Sequence, residues 1–148
     1  MIVPILLGSA TDKDHAQKIV DELSKFDIPS EVIVASAHKV PEKVIEVIEK
    51  YNKETEVVYV TVAGMSNGLS GVTAGSAYHP VIACPPFADL DSYQVDIHST
   101  LRMPKDTPVL TVLSPSNTAL CIARIFALSH PELREKVIAR IQEVKASF

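Results

Sequence analysis

Short apolar runs, each closed by a polar or glycine-containing turn and followed by a stretch of helical period, recur along this chain and restrict it to one broad architecture. Ile2 to Leu7 is such a run, closed by Gly8; from Asp12 to Phe26 the period changes, with Ala16, Ile19, Val20, Leu23 and Phe26 on one helical stripe. Glu31 to Ala35 repeats the apolar run, Ser36 to Val40 is a loop, and Pro41 opens a helix carrying Val44, Ile45, Ile48 and Tyr51. A third run, Val57 to Val62, enters a glycine-rich loop from Ala63 to Gly71, and a fourth, Val81 to Cys84, ends at Pro85 and Pro86, whose rings hold the chain extended. A fifth, Val109 to Leu113, precedes a helix from Ser116 to Leu128. Strands apolar along their length, alternating with helices, predict an α/β fold: a parallel, doubly wound sheet covered on both faces. At 148 residues, one three-layer domain over 1–148 is expected.

Some features depart from this pattern. Pro4 cannot donate to a strand ladder and is an unusual occupant of a central strand. The helix from Ser116 to Leu128 carries Arg124 as its only charge, so it must be covered on every side, either by a neighbouring subunit or by the middle of the monomer. The last helix has a capping-box pattern at Ser129 and Glu132 and an apolar stripe of Leu133, Val137, Ile138, Ile141 and Val144.

Composition narrows the partners. A net charge of −4 without clustered Lys and Arg argues against nucleic acid, so any phosphorylated ligand must be held by local geometry. The amino-terminal apolar stretch is too short to span a membrane and has no basic flank, which predicts a cytoplasmic chain. Cys84 and Cys121 lie in apolar runs and read as buried thiols of a reducing compartment.

A doubly wound sheet with flavodoxin-like strand order binds ligands beyond the carboxyl ends of its strands. Those ends carry Gly8-Ser9-Ala10-Thr11-Asp12, Ser36-Ala37-His38-Lys39 and Ala63 to Gly71. The chain has five glycines, and all lie in the first of these loops or between Gly64 and Gly75, where close backbone approach is at issue. Gly8 with Ser9 and Thr11 can aim N–H groups and hydroxyls at an anion, or form a plain turn with Ser9 or Thr11 as a helix cap. His38 beside Lys39 brings a side chain of the type that titrates near neutrality, although a solvated pair would look the same. Ser66 and Asn67 add side-chain donors. Three polar loops at one sheet edge favour a site. No GxxxxGK[ST], GxGxxG, HExxH or CxxC is present. His15, His79, His98 and His130 lack metal-ligand spacing and read as surface, packing or capping residues.

With these loops in view, the chain resembles the PurE family of aminoimidazole ribonucleotide (AIR) carboxylases and mutases over nearly its whole length. The motifs are GSATD, SAHK, AGMSNGLSG, CPPFADLDSYQVD and LSPSNTALCIARIFAL. The mutase branch typically reads SAHR, with a histidine before the leucine of the third loop; here those positions are Lys39 and Gly68, as in the second class, which uses carbon dioxide directly. The resemblance implies carboxylation of AIR at C4 in purine biosynthesis, with no ATP, biotin, metal or other cofactor. It implies Gly8, Ser9, Asp12, Ser36, Lys39, Ala63, Gly64, Ser66, Asn67, Gly68 and Leu69 as substrate-binding positions. Ser9, Ser36 and Lys39 would hold the phosphate and Asp12 the ribose. Ser66, Asn67 and the backbone around Gly64 and Gly68 would hold carbon dioxide, and His38 would move the C4 proton. It also implies a homo-octamer with sites at subunit contacts. The alternatives are the N5-carboxy-AIR mutase of the same family and, from another class, a flavodoxin-like binding module.

Overall fold

A computed structural model describes residues 1–148. Its strands are β1 (Val3–Leu7), β2 (Ser30–Val34), β3 (Tyr59–Val62), β4 (Val81–Ala83) and β5 (Leu110–Thr111). They pair in parallel throughout, in the order β2-β1-β3-β4-β5, the flavodoxin-like doubly wound order expected from the alternation. A 3₁₀ turn, Ala10–Asp12, leads into α1 (Lys13–Ser24); the other helices are α2 (Pro41–Tyr51), α3 (Leu69–Ser76), α4 (Leu90–Leu101), α5 (Pro115–Phe126) and α6 (Pro131–Ala146).

The period of two along the central strands divides the core. Val3, Ile5 and Leu7 of β1, with Val60 and Val62 of β3, point to the layer of α1, α5 and α6, where they meet Ile19, Leu23, Ile122, Phe126 and Leu133. Leu6 and Tyr59 point the other way, against Val44, Ile48 and Tyr51 of α2 and Leu69 of α3. Each fully buried Leu, Ile or Val contributes about 1.5–3 kcal/mol relative to exposure. Helices therefore cover both faces, and the strand order reverses between β1 and β3, which opens a crevice at their carboxyl ends.

Pro4 is accommodated by a gap. Ile2 and Gly8 donate toward the β3 side, to Glu56 and Val62, so Pro4, of the same parity, faces its missing N–H to β3. The pairing of β1 with β2 runs unbroken from Val3 to Leu7, but with β3 it consists of an isolated Ile2–Val57 bridge and then resumes at Ile5–Val60. One absent donor thus shortens β3 at its start, where the apolar run places Val57 inside the strand.

Other expectations are corrected. Strand β2 is an edge, and Glu31 and Val32 are exposed, so it is not apolar on both faces. The glycine-rich segment is only half loop: Gly71 and Gly75 lie in α3, with φ negative at every glycine. The second edge strand, β5, pairs over just two residues, so Val109 to Leu113 is largely irregular. Helix α5 buries one face, including Ala119, Ile122 and Phe126, while Leu120, Cys121 and Ile125 are half-buried and Arg124 is exposed; the middle of the monomer does not enclose it. Cys84 is buried, but Cys121 is not fully so. The capping box at α6 does not form: His130 is the cap, Ser129 Oγ donates to Glu56 and the Phe126 carbonyl, and Glu132 pairs with His130 Nδ1 at 3.2 Å.

Candidate active site

The carboxyl ends of β2, β1 and β3 lie side by side, and this adjacency gathers the loops nominated by the sequence. Gly8 N–H donates to the Val62 carbonyl at 2.9 Å, and Ala35 N–H to the Leu7 carbonyl at 2.9 Å. A Cβ on Gly8 would stand 3.1 Å from Ala63 Cβ, so the first and third loops touch through the absence of a side chain. A Cβ on Gly68 would stand 2.7 Å from His38 Nε2. The imidazole from the loop after β2 therefore reaches the loop after β3 and rests on the bare backbone of Gly68. The ring is exposed and makes no hydrogen bond within the chain, which leaves both nitrogens open to a ligand.

In the first loop, Ser9 Oγ accepts from the Thr11 N–H at 3.3 Å and from the Thr11 hydroxyl at 2.8 Å, forming the cap of the 3₁₀ turn. Asp12 begins α1 without capping it. Partial burial raises its carboxyl above the ordinary 3.8, against the lowering effects of the Ser9 backbone and His15. In the second loop, the Ser36 carbonyl accepts from Lys39 N–H at 3.3 Å and Val40 N–H at 2.9 Å, a turn that leaves the Lys39 ammonium without an ion pair. The backbone N–H groups of Ala37, His38, Gly64 and Ser66 have no acceptor within the chain, while that of Ser9 is turned toward the Asp12 carboxylate. Four free donors at one sheet edge make a ready anion site.

The third loop is held from inside. Asn67 is buried, and its Nδ2 donates to Ser70 Oγ at 2.7 Å and Thr100 Oγ1 at 2.9 Å while Oδ1 accepts the Ser70 N–H at 3.1 Å. Thr61 Oγ1 of β3 joins this network at Ser70, 2.7 Å away. The Asn67 side chain is therefore a clamp at the start of α3, whereas Ser66 is exposed and Leu69 packs into the core.

Several residues at this edge were not singled out by sequence reasoning. His15, one turn beyond Asp12 on α1, contacts Cys84 Sγ at 3.4 Å. Burial, with help from Lys18, lowers the imidazole below 6.5, and burial raises the thiol above 9.0, so the pair is neutral. A Cβ on Gly64 would meet the Pro86 carbonyl at 3.3 Å. Asp96, Ser99 and Thr100 of α4 bond to the third loop. The i, i+3 spacing of Asp12 and His15 was the signal available for the histidine; nothing comparable marked α4. Two surface hollows, of about 390 Å³ beside Arg124 and Arg134 and about 800 Å³ between α1, α5 and α6, lie away from these loops. In a single chain the strand-end site is an open crevice.

The AIR carboxylase family model matches residues 2–147. The phosphoribosylaminoimidazole carboxylase of Archaeoglobus fulgidus is 47% identical over 141 residues, 95% of this chain and 77% of that protein. That of Treponema denticola is 42% identical over 137 residues, 92% of this chain and 86% of the relative. The human bifunctional phosphoribosylaminoimidazole carboxylase/phosphoribosylaminoimidazole succinocarboxamide synthetase is 40% identical over 140 residues, 94% of this chain but 33% of that longer protein. The crystal structure of Treponema denticola PurE superposes with a TM-score of 0.92 at 38% identity, covering 99% of this chain and 92% of that one. A match of nearly every residue in sequence, and of the whole sheet and its helices in space, places the chain in the AIR carboxylase family.

Proposed function

We propose that this chain acts over residues 1–148 as an AIR carboxylase in purine biosynthesis, joining carbon dioxide directly to C4 of AIR without ATP, biotin or metal. The observation that carries this reading is His38, free of internal partners and seated on Gly68, at the edge where three polar loops meet and the second and third offer free N–H groups.

Ser9, Ser36 and the unpaired Lys39 hold the ribotide phosphate, with the Ala37 N–H group as a further donor. Asp12, whose carboxylate is not used as a helix cap, accepts from the ribose hydroxyls. Carbon 4 of the AIR ring is an enamine carbon: its electron pair forms the new C–C bond to carbon dioxide, and one C–O π pair becomes the carboxylate charge. The N–H groups of Gly64 and Ser66 and the Ser66 hydroxyl stabilise that charge as it develops. Ala63, Gly68 and Leu69 shape this wall, and Asn67 serves by fixing the loop. His38 takes the C4 proton, which restores the aromatic ring and releases 4-carboxy-AIR. No step needs an oxidant, a reductant or a nucleotide; positioning and one proton transfer suffice.

Lys39 and Gly68, where the mutase branch has Arg and His, support carboxylation over rearrangement of N5-carboxy-AIR. Incubation with AIR and bicarbonate, without ATP or a partner enzyme, is expected to yield 4-carboxy-AIR. Turnover of N5-carboxy-AIR alone would establish the mutase instead.

A further inference from the structure

Helix α4 directs a row of polar side chains at the glycine-rich loop, although its outer face exposes Leu90, Val95 and Leu101 at 69%, 73% and 57%. Asp96 Oδ2 accepts the Met65 N–H at 3.0 Å. Ser99 Oγ accepts the Asn67 N–H at 3.0 Å and shares its one proton between the Met65 carbonyl at 3.0 Å and its own helix carbonyl of Asp96 at 2.8 Å. Thr100, buried, receives the Asn67 amide. Met65 itself lies at φ 54°, a left-handed conformation that side chains other than Gly, Asn and Asp rarely hold and that persists only where the surroundings impose it. Both backbone polar groups of Met65 are bound by α4, and these bonds are what impose it. The residues on either side, Gly64 and Ser66, keep their N–H groups free.

We infer that Asp96 and Ser99 are positioning residues for carboxyl transfer: by gripping both polar groups of Met65, they hold the Gly64 and Ser66 amides where the developing carboxylate needs them. This rests on the proposed carboxylase reading of the site. It assigns separate tasks to separate elements. Helix α4 bonds only to the third loop, so its grip governs the carboxylation step, while the first and second loops retain the ribotide.

The test uses Ser99→Ala and Asp96→Ala against the conservative Ser99→Thr and Asp96→Asn, whose hydroxyl and amide oxygen can still accept the same N–H groups. The alanine variants are expected to lose about a hundredfold in kcat, the scale of a misplacement near 1 Å, with the Kd for AIR unchanged. The conservative variants recover most of the rate. In the ligand-free protein, the Met65 amide exchanges faster in Asp96→Ala, and both the Met65 and Asn67 amides do so in Ser99→Ala. Wild-type kcat in the alanine variants, a loss of AIR affinity in step with kcat, an Asp96→Asn enzyme as slow as Asp96→Ala, or unchanged amide exchange would each overturn the inference. Should Ser99→Ala not fold, Asp96→Ala carries the test, because it leaves the Asn67 bonds in place. A parent chain without carboxylase activity would instead show that the functional reading is at fault, and the exchange result would still decide whether α4 grips the loop.

Discussion

A methyl group at position 68 would occupy the space of the His38 ring tip, and this one steric fact separates two glycines a turn apart. Gly68→Ala must displace the imidazole, since its Cβ would sit 2.7 Å from Nε2, yet the displaced group is the end of a flexible side chain. Its expected signature is a large fall in kcat with little change in melting temperature. Gly71 lies inside α3, and a Cβ there would stand an ordinary 3.6 Å from its nearest neighbour, Met103 Sδ, so Gly71→Ala is expected to stabilise by roughly 0.5–1 kcal/mol through lower unfolded-state entropy. Thermal melts and steady-state rates on both variants check the pair. His38→Asn keeps a polar side chain of similar reach but cannot cycle a proton; it is expected to lose at least about 10² to 10⁴ in turnover while AIR still binds, by titration calorimetry. An active His38→Asn enzyme would remove the assignment of the base.

Elements with a strict period were legible in the sequence, and those whose polar groups turn inward were not. Helices α1 and α2 show their stripes because one face meets the core and the other meets water. Helix α3 was concealed by its glycines and by Ser70 and Thr73, which are buried because Asn67, Thr61 and the Leu69 carbonyl bond to them. Helix α4 was concealed for a related reason, since Asp96, Ser99 and Thr100 face a loop instead of solvent. The three loops of the site were found because each follows a strand end; the helix that braces one of them has no such marker. At the opposite end of the sheet, His130 Nε2 meets Glu56 at 2.8 Å and ties the start of α6 to the segment before β3. Hydrogen bonding to Glu56 raises the imidazole above 6.5, and the same bond lowers the Glu56 carboxyl below 4.5. The histidine's stabilisation is complete below 6.5 and fades as pH rises through its raised value; the glutamate's is complete above 4.5 and fades as pH falls through its lowered value. His130→Ala is therefore expected to lower the melting temperature most in the window between them, with the difference shrinking toward alkaline pH. A deficit that grows with rising pH would contradict this pairing.

The molecule as a whole presents more surface than a lone chain of its size needs. A compact monomer of 16.1 kDa has about 7,400 Å² of accessible surface, against 8306 Å² here, and Leu128, Val95 and Leu90 stand 88%, 73% and 69% exposed. The half-buried outer face of α5 and the open crevice at the strand ends are surfaces that the assembly implied by the family resemblance would cover and close. If the homo-octamer implied by the family resemblance forms, light scattering gives eight times the chain mass, and a species of 16.1 kDa at working concentration would contradict assembly. The central claim is spatial, and a crystal structure of the protein with AIR bound tests it most directly. The account predicts the phosphate among Ser9, Ser36 and Lys39, with C4 of the ring facing His38 Nε2 across a gap of about 3 Å. AIR seated in either hollow beside α6, or bound at the strand ends with its ring turned away from His38, would contradict it.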